Sequence, residues 1–163
     1  GGAKASTKIP VIEHLIVRAE HVAVGGVAAN EILAGMTNIN TQDSRLHLPT
    51  DFIMDDGHAR DIGPETTRAF TVLAEGAKLI IWNGPMGRFE DARFMAGTEA
   101  IARAIAASGA LSIIGGGDTI SAVDVLGLLE KFTFVSTGGG AMLAFLAGTQ
   151  LPGLKVLGYY DEA

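Results

Sequence analysis

Apolar residues recur every three or four positions in some stretches of this chain and bunch into short runs in others, and the two habits alternate. Ile9, Ile12, Leu15 and Ile16 give Thr7–Ala19 helical spacing, with Ser6 or Thr7 as N-cap and Pro10 tolerated in the first turn. His21–Gly25 predicts a short strand ending in the pair Gly25-Gly26, Val27–Ala34 a short helix, and the polar Thr37–Ser44 a loop. Leu46–Ile53 has strand composition, although Pro49 counts against its middle, and Asp55–Pro64 carries turn chemistry throughout. Glu65–Glu75 predicts a helix with acidic charge at its start, and Lys78–Trp82 a buried strand. An Ala-rich helix over Thr98–Ala107, closed by Gly109, leads to a strand at Leu111–Ile114 and a helix at Thr119–Glu130. A strand at Phe132–Val135 and a helix at Ala141–Ala147, closed by Gly148, complete the series. Strand–turn–helix repetition predicts an α/β fold, a doubly wound, Rossmann-like and mostly parallel sheet with helices on both faces.

Length bounds this to one domain over residues 1–163, large enough to bury a core. Apolar residues make up 48% and charged residues 18%, which suits buried parallel strands. A net charge of −6 with no aromatic–basic interleaving offers no footprint for nucleic acid. The absence of cysteine excludes disulfides and thiolate chemistry and is compatible with a reducing cytoplasm. No apolar run reaches membrane-spanning length, and no signal-peptide pattern stands at the front. The chain opens on Gly1-Gly2 with no strand feeding the turn, so a fragment or excised domain is expected.

Candidate chemistry sits in four glycine-rich turns: Gly1-Gly2-Ala3-Lys4, Asn83-Gly84-Pro85-Met86-Gly87, Gly115-Gly116-Gly117-Asp118-Thr119 and Ser136-Thr137-Gly138-Gly139-Gly140. Such turns let backbone approach a ligand closely, and where one opens a helix its free N–H groups and dipole suit a phosphate. Asp118 reads either as an N-cap or as a carboxylate able to hold Mg2+, and Gly138–Gly140 as an anion nest. No turn has the Walker ending Gly-Lys-Ser/Thr, and none has the dinucleotide spacing with its ribose carboxylate. The four histidines (14, 21, 47 and 58) are scattered and take no role, Asp55-Asp56 reads as a solvated turn, and Trp82 as core packing.

Trp82-Asn83-Gly84-Pro85-Met86-Gly87 with Phe89-Glu90 closely resembles a signature of the phosphoglycerate kinases. So do Gly1–Lys4 with Lys8-Ile9, Asp61-Ile62-Gly63-Pro64, Gly115–Thr119, and Ser136–Gly140 followed by Leu151-Pro152-Gly153, in the family's order. The resemblance is to the C-terminal, nucleotide-binding half of a two-domain cytoplasmic enzyme of glycolysis. It implies phosphoryl transfer between 1,3-bisphosphoglycerate and ADP, with Mg2+ on the nucleotide and a monomeric protein. It implies that Gly1, Gly2 and Ala3 lie along the adenosine with Lys4 nearby, and that Gly25 and Gly26 sit beside the base. Phe52 and Gly63 then flank the base, Asn83 and Pro85 belong to the nucleotide loop, and Glu90 takes the ribose hydroxyls. Gly116, Gly117 and Thr119 face the phosphates, and Asp118 the metal. Lys8 approaches the transferring phosphoryl group, and Gly138, Gly139 and Gly140 steady it.

Three departures stand out. The N-terminal half that binds 3-phosphoglycerate in the family has no counterpart, and none of the seven arginines matches its acceptor site. The stretch from Ala34 to Asp61 is shorter than the family usually shows, which bears on the adenine pocket. Arg88 stands where the family often has an apolar residue. Two function classes follow: a kinase nucleotide-binding domain that binds Mg-ADP or Mg-ATP without turnover on its own, or a degenerate relative serving as a binding or interaction module.

Overall fold

The computed structural model describes residues 1–160. Its elements run α1 (Ala5–Leu15), β1 (Val22–Ala23), α2 (Gly26–Leu33), β2 (Leu46–His47), β3 (Phe52–Asp55) and β4 (His58–Ile62). Next come α3 (Pro64–Gly76), β5 (Leu79–Asn83), α4 (Ala96–Ala107), β6 (Leu111–Gly115), α5 (Gly117–Val125), β7 (Phe134–Ser136), α6 (Gly139–Leu146) and α7 (Pro152–Val156). The parallel strands and flanking helices are the α/β architecture expected. Hydrogen bonding divides the strands into three ladders: parallel β1-β2, antiparallel β3-β4, and parallel β5-β6-β7.

Several boundaries differ from the sequence reading, each for a local reason. Asp55–Pro64 is not turn throughout. Only Asp56 and Gly57 turn, both at positive φ as a two-residue hairpin loop requires, and β3 and β4 pair on either side. The register shifts between Ile53 and Met54, opposite Asp61 and Ala59, so Arg60 is the extra residue of a bulge. Helix α1 begins at Ala5, so neither Ser6 nor Thr7 is its N-cap; Thr7 Oγ1 instead donates back to the Lys4 carbonyl at 2.9 Å. Pro10 therefore lies in the interior of α1, where it forfeits one ladder bond. Helix α5 stops short because Gly127, at φ +67°, lets its own N–H reach the Asp124 carbonyl and that of Leu128 reach Val123. Asp118 sits inside the first turn of α5, behind the N-cap Gly116.

Two hydrophobic clusters form. The larger joins Ile62, Phe70, Trp82, Met86, Ile101, Ile105, Ile114, Val123 and Phe132 beneath one face of β5-β6-β7. Trp82 is the core residue expected, only 5% exposed. The smaller unites Ala5, Ile12, Val24, Ala28, Ala29, Ile32 and Leu46 from α1, α2 and the β1-β2 ladder. On the other face of β5-β6-β7, Met142 of α6 fills the space a side chain at Gly115 would need, and α6 packs on α1. Leu79, Ile81, Leu111 and Phe134 on that same face remain open to solvent. Among the described residues no helix is long and apolar enough to cross a membrane.

Candidate functional site

Parallel register brings the glycine turns together. Asn83 lies opposite Gly115, and Gly115 opposite Ser136, so three strands end in line and release their turns at one edge. Ligands of open α/β sheets bind at that edge. The first turn reaches the same place by backbone bonding. The Gly1 nitrogen donates to the Asn83 carbonyl at 3.0 Å and Gly2 N to Pro85 O at 2.8 Å, while Val27 N donates to Gly2 O at 3.0 Å. Gly1-Gly2 is thus a seam between the two clusters, and it is built from backbone. A Cβ on Gly84 would collide with the Gly1 carbonyl, and one on Gly26 would stand 2.6 Å from Gly2 N and O. Gly2, Gly26 and Gly84 also sit at φ +95°, +64° and +93°, a region side chains avoid.

A cleft of about 340 Å³ opens along this seam. The first turn and α2 contribute Gly2, Ala3, Gly26, Val27 and Asn30 to its lining, and the β3-β4 hairpin contributes Phe52, Ala59, Arg60, Asp61 and Ile62. Pro85, Arg88, Phe89 and Glu90 line it from the loop after β5, with Asp118 at the start of α5. The loop is fixed from behind: Gly84 N donates to the buried Thr119 Oγ1 at 2.6 Å, and Trp82 Nε1 to Gly84 O at 2.9 Å. Asp61 is 3% exposed, its carboxylate accepting from Gly97 N at 2.8 Å and Ile62 N at 2.9 Å. Burial pushes its pKa up, against the downward pull of those two amides.

Lys8 Nζ donates to Asn83 Oδ1, joining α1 to the end of β5. Burial lowers the Lys8 pKa, and the Asp118 carboxylate pulls it back up. The Asn83 Nδ2 donor of the same amide is buried without a partner. In the turns that leave the same sheet edge, the positions a Cβ would occupy on Gly117, Gly139 and Gly140 are open space. These glycines begin α5 and α6, whose first N–H groups have no partner within the helix. One ammonium, one carboxylate and two sets of open backbone donors share an edge, a donor set whose chemistry suits an anion.

A family model described as Phosphoglycerate kinase matches residues 36–149. The chain belongs to the phosphoglycerate kinase family. It is 37% identical to the phosphoglycerate kinase of Desulfosudis oleivorans over 198 residues, with 96% of this chain and 50% of the relative covered. To that of Roseiflexus castenholzii it is 40% identical over 197 residues, with the same coverage. The solved structure of phosphoglycerate kinase from Coxiella burnetii matches at a TM-score of 0.86 and 34% identity, covering 98% of this chain and 51% of that one. That from Pyrococcus horikoshii matches at 0.82 and 30%, covering 100% and 52%. This chain spans about half the length of the phosphoglycerate kinases it matches. The first alignment runs over 198 residues against 163 in this chain, so that relative carries stretches this one lacks.

Of the residues the phosphoglycerate kinase resemblance singled out, Gly2, Ala3, Gly26, Phe52, Pro85, Glu90 and Asp118 line the cleft. Lys8 and Asn83 bond each other without lining it, and Thr119 holds the loop behind it through Gly84 N. Lys4 is exposed. Gly1 and Gly25 support the cleft without lining it; a Cβ on Gly25 would stand 2.6 Å from Met86 Sδ. Gly63 is also off the cleft, where a side chain would strike the Asp51 carboxylate that caps α3. Gly116 faces the Asn83 amide, with a Cβ position 3.2 Å from it. Gly138 N donates to Ser136 Oγ at 3.3 Å. Sequence reasoning missed Asn30, Ala59 and Arg60 as cleft residues, and the Lys8–Asn83 link, whose partners lie 75 positions apart.

Proposed function

We propose that this chain is a nucleotide-binding domain that takes Mg-ADP or Mg-ATP in the cleft and does not turn over alone. The observation that carries the reading is the meeting of Lys8, Asp118 and the open turns of α5 and α6 at one sheet edge. The phosphates lie at that end and the nucleoside runs toward Phe52 and Glu90. The donor set fits Mg2+, which is held by one or two carboxylates plus the phosphates themselves. Asp118 offers a single exposed carboxylate, and no group of three or more metal-binding side chains occurs among the described residues. When bound, Mg2+ would neutralise phosphate charge.

In the parent kinase we infer phosphoryl transfer between the acyl phosphate of 1,3-bisphosphoglycerate and ADP. The P–O bond to the acyl oxygen breaks, a terminal oxygen of ADP takes the phosphoryl group, and the carboxylate of 3-phosphoglycerate leaves. Such transfers need positioning and charge neutralisation more than covalent chemistry. Lys8 holds an ammonium against the transferring group, Asn83 fixes where that ammonium stands, and Gly138–Gly140 present backbone donors. The family half that this chain does not match would carry the acceptor site and close over the cleft to exclude water. The protein acts in the cytoplasm as a monomer.

Calorimetric titration of Mg-ADP into the 163-residue chain tests this. Saturable binding that weakens in Asp118→Ala and in Lys8→Ala is expected, with no phosphoryl transfer to 3-phosphoglycerate. Absence of binding to the folded chain would leave a kinase scaffold serving as an interaction module.

A further inference from the structure

Two arginines stand in the cleft, and neither phosphate binding nor phosphoryl transfer uses them. Arg60 of the β3-β4 hairpin and Arg88 of the loop after β5 both line it, and Arg88 N donates to Arg60 O at 2.8 Å, so the two are neighbours. The ion pairs among the described residues belong to Arg45, Arg93 and Arg103. Arg60 Nε is buried with no hydrogen-bond partner, a costly state for a charged group's donor. Arg60 is the extra residue of the β4 bulge, a device that re-aims a side chain. Phe52 lines the same wall and offers a flat apolar face.

We propose that the base end of this cleft selects guanine over adenine through Arg60 and Arg88. The proposal rests on the nucleotide reading above and ranks a guanine nucleotide above the adenine nucleotides that the site also takes. With the phosphates at Lys8 and Asp118, the base falls between Phe52 and the two arginines. A guanidinium presents donors only, in a planar fork. Guanine meets it with two adjacent acceptors, O6 and N7, whereas adenine offers N7 beside an amino donor that opposes the fork. The two guanidinium forks gain acceptors from the first base and a like-polarity neighbour from the second. An apolar pair at these two positions would treat the purines alike.

Titrating Mg-GDP and Mg-ADP into the full chain, and into Arg60→Leu, Arg88→Leu and the double variant, decides it. GDP is expected to bind about tenfold more tightly than ADP, the worth of a good fork-to-base match. Both single variants should draw the ratio toward one, with the circular dichroism spectrum and urea midpoint of each certifying that it folds. Arg88→Leu alters an exposed position and keeps the test open should Arg60→Leu fail to fold. Equal or tighter ADP binding by the parent chain overturns the proposal and leaves the nucleotide site standing, as does an unchanged ratio in the variants. Binding of neither nucleotide overturns both readings together.

Discussion

Lys8 is held where its charge is expensive. Its ammonium leans on Asn83 Oδ1 in a half-buried position, and burial lowers its pKa more than Asp118 restores it. Protonated, it offers a phosphate a charge-assisted bond; deprotonated, it offers little. Nucleotide affinity should therefore fall as pH rises through a Lys8 pKa lying below the ordinary value of about 10.4. Lys8→Met should weaken Mg-ADP roughly tenfold near neutral pH, at the low end for a hydrogen bond to a charged group, and flatten the pH profile. Calorimetry from pH 7 upward checks both. A profile of unchanged slope in Lys8→Met would assign the titration to another group. The lysine was legible in the sequence only as part of a motif, because its partner Asn83 is distant in sequence and no periodicity links them. Arg60 was illegible for a different reason: a bulge hides in a segment whose Asp, Gly and Pro content reads as turn.

Among the elements, helix α3 shows how far a cap can come from. Asp51 accepts from Glu65 N at 2.9 Å, Thr66 N at 2.8 Å and Thr66 Oγ1 at 2.6 Å, while Gly63 leaves room for the carboxylate. Burial works to raise the Asp51 pKa, but the donors on Thr66 and Glu65 outweigh it and the net shift is downward. A carboxylate with a depressed folded pKa contributes stability above its unfolded value, and loses it as pH falls through the folded one. Asp51→Ala should lower the urea midpoint at pH 7, and this deficit should shrink as acid protonates the parent carboxylate. A deficit independent of pH would mean that the cap acts without its charge. Element types along β5–α6 followed from apolar runs and glycine punctuation, since local signals and tertiary packing agree there. The β3-β4 hairpin did not, because only its Asp56-Gly57 turn has a strong local signature and its strands are stabilised by pairing. Gly63 was read as a base-flanking residue on motif order alone, and its neighbour is a carboxylate.

The two hydrophobic clusters differ in size and in what holds them. The larger has aromatic and branched residues under a three-stranded ladder, and the smaller leans on alanines and a two-residue ladder. Opening free energies track such differences. In native-state hydrogen exchange, amides of Ile12, Val24 and Ile32 should exchange ahead of those of Trp82, Ile114 and Val123. Saturating Mg-ADP, touching walls from both clusters, should slow the first set most. Uniform protection of both sets would instead mark a single cooperative unit. What joins the clusters is the seam of Gly1, Gly2, Gly26 and Gly84, in which main chain meets main chain. Side chains on either side can therefore be exchanged over evolutionary time while the main-chain contacts across the seam persist. The spacing between the start of α2 and the loop after β5 is set by the thickness of a polypeptide backbone, and a side chain added at Gly1, Gly26 or Gly84 would have to push the two apart.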